Sequence, residues 1–95
     1  MYLEIVSPEA TVFSAEIKSV VVPGITGEFQ ILKNHAAIVS LLTEGTIKIH
    51  LEQPIVLEEL HANIIPLVKD NKILTLKINS GTIEMKDDNV IVLVD

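Results

Sequence analysis

The chain has 95 residues, a formal charge of −6 and a hydrophobic fraction of 48%, which suits one domain with its own core. All seven basic residues are Lys. Without a basic face or Arg side chains for phosphates and guanines, the composition excludes a nucleic-acid-binding protein. The absence of Cys excludes disulfides, thiolate nucleophiles and cysteine-ligated zinc. No apolar run approaches the roughly 20 residues that span a bilayer, so we expect no direct membrane insertion.

Alternating hydrophobicity predicts short strands along the first third of the chain. Residues 2–6, 11–13, 16–22 and 29–32 alternate apolar and polar side chains or are rich in β-branched residues, which is typical of half-buried strands. Turn-forming residues separate these segments, and residues 33–35 are expected to form a polar turn.

The rest of the chain continues this pattern. Residues 36–42 are apolar without clear alternation, which indicates a strand packed on both faces. The other alternating segments are residues 46–51, 72–78, 82–86 and 90–94, the last two joined by a hairpin turn at 87–89. About ten short strands predict an all-β fold, a β-sandwich or flattened barrel with residues 1–95 as one domain. The expected aliphatic core includes Leu3, Ile5, Val20, Val22, Ile47, Ile49, Ile83 and Val92.

One segment, residues 52–71, has a different period. Leu57, Leu60, Ile64 and Val68 recur every three or four residues, which is the period of a helix. Because a Pro lies between the last two of them and would end a helix early, we expect one or two helical turns here. An irregular or extended path is the alternative.

The loop that follows residues 20–22 is the most distinctive local feature. Pro23 and Gly24 precede Ile25 and Thr26, and Gly27 closes a segment that tolerates positive φ, so we predict a tight turn between two strands. Its two glycines could suggest a phosphate loop. However, a carboxylate follows directly and would repel phosphate.

The other polar residues provide no catalytic pattern. His35, His50 and His61 match no compact spacing of metal ligands, and no Ser occupies a nucleophile motif. Adjacent carboxylates are expected to be solvated. The residues alone therefore indicate an acidic all-β interaction domain without catalytic residues, metal or cofactor.

Several motifs, taken in order, resemble the epsilon subunit of F-type ATP synthases. Residues 3–9 with Phe13 are similar to the first hairpin of that family, and residues 21–36 are similar to its signature loop. Leu41 and Leu42 with Gly45, then residues 78–85 and 90–93, are similar to its later turn and closing strands.

The resemblance implies a ten-stranded β-sandwich that acts as a non-catalytic rotor subunit of a proton-translocating ATP synthase. In that family this domain binds the gamma subunit and the loops of the c-ring, and so helps to couple proton flow to ATP synthesis. The family's c-ring contact corresponds to Glu28 and His35, and its signature loop to Pro23, Gly24 and Gly27. The implied protein is a monomer when isolated and is present once in a peripheral complex on the cytoplasmic face of the bacterial inner membrane.

The chain also departs from the family pattern. Lys33 and Ala37 stand where Pro is frequent, so the loop around His35 is expected to be less rigid, and residues 52–71 are longer than the usual hairpin. Most bacterial members continue into a helical hairpin beyond the position of Asp95, so we expect no C-terminal helical domain here and no autoinhibition by such an arm. Two alternatives remain: a free-standing module that binds a peptide or carbohydrate, which would need an aromatic-lined groove, and a small enzyme.

Overall fold

Ten β-strands make up the computed structural model of the protein, which describes residues 1–54, 60–67 and 69–95. The strands are β1 (Tyr2–Val6), β2 (Thr11–Glu16), β3 (Ser19–Gly24), β4 (Gly27–Leu32), β5 (Ile38–Leu42), β6 (Gly45–His50), β7 (Ile64–Leu67), β8 (Asp70–Ile78), β9 (Gly81–Lys86) and β10 (Asn89–Val94). The predicted all-β fold is therefore confirmed. Nothing in the described ranges forms a helix long and apolar enough to cross a membrane.

The strands form one hydrogen-bonded sheet of ten strands, which a single residue pair divides into two groups of five. Hydrogen-bonded neighbours follow the order β2-β1-β10-β9-β5-β3-β6-β8-β7, with β4 beside β3. The path folds where β5 meets β3, at the pair Leu42 and Gly24. We call β2, β1, β10, β9 and β5 the first sheet, and β4, β3, β6, β8 and β7 the second sheet. β1 and β10 are parallel, whereas the other neighbouring strands are antiparallel.

Strand pairing brings the predicted core residues into rows. In the first sheet Val92 pairs with Ile5 on one side and with Ile83 on the other, and in the second sheet Ile49 pairs with Val20. Because side chains alternate between the faces of a strand, each row points to one face, and the two inner faces share a single aliphatic cluster. All eight predicted core residues are 0% exposed, so that prediction is confirmed.

Strand β5 differs from the prediction of burial on both faces. Leu42 is buried, but Val39 is 75% exposed and Leu41 is 59% exposed. The reason is that β5 belongs to the first sheet, whose inner face packs on the second sheet while its outer face meets solvent. The expectation for residues 36–42 was therefore wrong about the outer face.

The helical interpretation of residues 52–71 is wrong where the structure describes it. Ile64–Leu67 form β7, an edge strand antiparallel to β8 in which Ile64 pairs with Leu76 and Pro66 with Leu74. Pro is tolerated on an edge strand but would break a helix. Leu57 and Val68, which were also part of the helical pattern, lie outside the described residues.

Candidate interaction site

The predicted turn is the tip of a β-hairpin formed by β3 and β4. Gly24 pairs with Gly27, so Ile25 and Thr26 are the two central residues of the turn, and Gly27 has a φ of 132° that favours glycine. A Cβ on Gly24 would lie 2.7 Å from Cε1 of Phe29. Gly24 is therefore required because an aromatic ring packs against its backbone.

The tip end of this hairpin is fixed to the turn between β5 and β6. The backbone N–H of Thr43 donates to the Pro23 carbonyl oxygen over 2.9 Å, and a Cβ on Gly45 would lie 2.7 Å from Cβ of Pro23. Pro23 and Gly24 are both buried. These residues therefore hold the hairpin in place, and its exposed tip is available to a partner.

Glu28 is exposed at the start of β4, as predicted for a residue that flanks the turn. Its Oε2 lies 3.7 Å from Nζ of Lys48, and the two side chains are 53% and 44% exposed. An ion pair this exposed contributes about 0–1 kcal/mol to stability. The carboxylate therefore remains available for a contact outside the chain.

His35 is also exposed, in the loop between β4 and β5. Its backbone N–H donates to the Leu32 carbonyl oxygen over 3.1 Å, and its Nδ1 lies 2.7 Å from the Ala36 carbonyl oxygen. Because a carbonyl oxygen can only accept, this contact requires a proton on Nδ1. The preceding Asn34 has a φ of 66°, in the left-handed region that Asn tolerates.

The structure does not bring Glu28 and His35 together. They flank opposite ends of β4, and the four steps from Glu28 to Leu32 alone span roughly 13 Å of extended chain. The Glu28 end of the sandwich also carries the turn between β5 and β6, because Gly24 pairs with Leu42. Since Ile38 at the start of β5 pairs with Met85 near the end of β9, the His35 end carries the turn between β9 and β10.

A third feature was not predicted from the sequence. The outer side of the first sheet exposes large aliphatic side chains, which we call the outer apolar face: Val39 (75% exposed), Leu41 (59%), Ile91 (42%) and Leu93 (51%). The sequence signal was present, because β10 is apolar at nearly every position. A uniformly apolar strand in a two-layer antiparallel fold has a second apolar face that meets solvent unless something covers it.

The register makes these four side chains one surface. On β9, Glu84 lies between Val39 and Ile91, and Thr82 lies between Leu41 and Leu93. The His35 loop ends at Ala37, and Val39, the first residue of the outer apolar face, follows two residues later on β5. Within the described ranges, no group of three or more His, Asp or Glu side chains could hold a metal ion. The arrangement therefore offers binding surfaces.

Comparisons with known proteins agree with this fold and motif pattern. The family model described as ATP synthase, Delta/Epsilon chain, beta-sandwich domain matches residues 1–62. The ATP synthase epsilon chain of Campylobacter fetus subsp. fetus is 37% identical over 95 residues, covering 100% of this chain and 60% of the relative. The epsilon chain of Campylobacter curvus is 53% identical over 49 residues, covering 52% of this chain and 38% of the relative.

The fold also matches a solved structure. A chain in the cryo-EM structure of the Tetrahymena thermophila mitochondrial ATP synthase central stalk and c-ring superposes with a TM-score of 0.69 at 10% identity, covering 98% of this chain and 61% of that one. This chain spans about 60% of the length of each of these two proteins. The matches therefore do not test the expected lack of an inhibitory arm, which stays a prediction. The family model, which covers more than half of the residues, places the chain in the family of ATP synthase delta/epsilon chains, whose β-sandwich domain it carries.

Proposed function

We propose that this protein is a non-catalytic rotor subunit of an F-type ATP synthase, which binds the gamma subunit and the c-ring and so helps to couple proton flow to ATP synthesis. The outer apolar face carries this proposal, since contiguous exposed aliphatic side chains mark surfaces that a partner covers. Such a subunit is peripheral, on the cytoplasmic face of the bacterial inner membrane, and is held there by protein contacts.

We assign the outer apolar face to the gamma subunit. Its aliphatic residues resemble the core of a protein interface, which is poor in charge. Two carboxylates border the face: Glu84 lies between Val39 and Ile91, and Glu4 on β1 pairs with Ile91. Glu84 would lose water when the face is covered. A carboxylate buried without a partner is costly, so gamma is expected to present a Lys, an Arg or a hydrogen-bond donor opposite Glu84.

We assign the c-ring contact to the tip of the hairpin between β3 and β4, which carries Glu28. An exposed carboxylate on a firmly anchored turn suits polar loops at the end of a ring, where charge complementarity sets orientation. His35 lies at the other end of β4 and borders β5, which carries Val39 and Leu41 of the outer apolar face. We therefore place His35 at the margin of the gamma interface.

A carbohydrate- or peptide-binding module has less support, because its aromatic side chains would have to line a groove. Phe13 is 5% exposed, and Phe29 packs over Gly24. Tyr2 is partly exposed, but its hydroxyl forms a hydrogen bond with that of Ser14. These three rings do not form a shared binding surface.

Binding to purified gamma subunit tests the proposal. Leu41→Lys places a charge in the outer apolar face, beside Thr82 and not beside a carboxylate. It is expected to weaken binding at least tenfold, because a lysine would be desolvated there. The matched control is Ile65→Lys, because Ile65 is 60% exposed and also pairs with a Thr, but lies on β7 in the second sheet. Both variants should keep the melting temperature of the parent. Equal effects of the two substitutions, or no effect of Leu41→Lys, would contradict the assignment.

A further inference from the structure

The turn between β9 and β10 makes a contact that neither strand requires. Lys86 pairs with Asn89, and the two residues between them, Asp87 and Asp88, have φ values of 53° and 62°. Positive φ at both central residues defines the type I′ turn that suits the twist of a two-residue hairpin. Gly is the residue most at ease at the second of these positions, yet the chain has Asp88 there.

Asp88 links this turn to two other parts of the molecule. Its carbonyl oxygen accepts a hydrogen bond from the Tyr2 backbone N–H over 2.9 Å, which fixes the turn against β1. Its Oδ1 accepts a hydrogen bond from the Asn34 backbone N–H over 2.8 Å, a contact between residues 54 positions apart. The carboxylate therefore spans the space between the anchored turn and the loop that carries His35.

We propose that Asp88 is a positioning residue that holds the His35 loop in the conformation in which it meets a partner. Asn34 directly precedes His35, and its φ of 66° bends the backbone where the loop leaves β4. A hydrogen bond that fixes the Asn34 N–H therefore also fixes the backbone beside His35. A charged acceptor makes a stronger hydrogen bond than a neutral one.

The partner in this inference is the proposed gamma subunit, so the inference rests on the proposed function. The loop borders a hollow of about 350 Å³ lined by Asn34, His35, Ala37, Lys86, Asp87 and Asp88. Losing the Asp88 contact frees the loop to move into or away from this hollow. Binding then requires the loop to be ordered again, which lowers affinity.

Three variants separate the contact from the stability of the turn. Asp88→Gly removes the carboxylate but keeps a residue that favours positive φ. Asp87→Gly makes the same change at the neighbouring position, whose side chain does not bind Asn34, and Asp88→Asn keeps an acceptor oxygen without the charge. We expect both Gly variants to keep or raise the melting temperature, because Gly suits a type I′ turn.

Amide hydrogen exchange in the full chain tests the contact itself, measured by NMR at the Asn34 N–H. Asp88→Gly should speed this exchange at least tenfold, whereas Asp87→Gly should leave it unchanged and Asp88→Asn should retain most of the protection. Unchanged exchange in Asp88→Gly would show that the carboxylate does not hold the loop and would overturn the inference.

Affinity for purified gamma subunit tests the positioning role. Asp88→Gly should bind at least threefold more weakly than the parent, and Asp88→Asn should restore most of the loss. If exchange responds but affinity does not, Asp88 holds the loop without serving the partner, and the positioning role is overturned. If the parent chain itself does not bind gamma, the proposed function fails, and the exchange result still decides whether the contact exists.

Discussion

At the scale of single residues, the exposed carboxylate of Glu28 carries the proposed c-ring contact. Glu28→Lys is expected to lower the number of protons pumped per ATP hydrolysed in reconstituted vesicles, because it reverses the charge on which the proposed complementarity with the ring depends. The melting temperature should change little, since the partner Lys48 forms only an exposed pair with Glu28 worth about 0–1 kcal/mol.

Glu28→Gln is the matched control, because it removes the negative charge without reversing it and should have a smaller effect on pumping. Normal pumping in Glu28→Lys would contradict the role assigned to this residue. A large fall in melting temperature would instead show that the pair with Lys48 is structural.

The residues of the site were predictable to different degrees. Exposure of Glu28 and His35 could be predicted because both flank turns, and it is confirmed. Their separation could not, because it depends on β4 forming a full strand between them. The contact of Asn34 with Asp88 joins residues 54 positions apart, so no local pattern contains it. The c-ring contact expected for both residues stays a prediction, and the placement of His35 beside gamma stays a proposal.

At the scale of strands, the alternation of side chains decides which substitutions are costly. Ile47 on β6 is 0% exposed, and Ile47→Ala should lower the free energy of unfolding by about 2–4 kcal/mol through lost burial and a cavity, out of a total of about 5–10. Leu41→Ala, on the outer apolar face, should cost under about 0.5 kcal/mol. Urea denaturation of the two variants tests this, and equal losses would contradict the assigned faces.

The sequence predicted strands correctly where apolar and polar side chains alternate along the segment itself. The prediction failed at β7, because Ile64 fits a helical period of apolar residues. In the structure, pairing with β8 satisfies the backbone hydrogen bonds of this segment, so it is a strand. The prediction also failed for the outer side of β5, since an apolar run does not reveal which face lacks a covering layer. Both errors concern long-range pairing, which outweighs local propensity in strands.

At the scale of the whole molecule, the sandwich separates two proposed contacts. The hairpin tip with Glu28 lies at one end, whereas the outer apolar face lies along the first sheet and continues into the His35 loop at the other end. A domain with two such surfaces can join two components of a rotor. Its rigid aliphatic core would keep the two surfaces at a fixed distance and orientation.

Cross-linking in the assembled enzyme tests this account most directly. The chain has no Cys, so Val39→Cys and Glu28→Cys each introduce one reactive thiol, and Ile65→Cys on β7 is the control. With short photoactivatable linkers on these thiols, the account predicts that residue 39 joins to gamma, residue 28 joins to the c-ring and residue 65 joins to neither. Attachment of residues 39 and 28 to the same subunit, or to neither component, would contradict it.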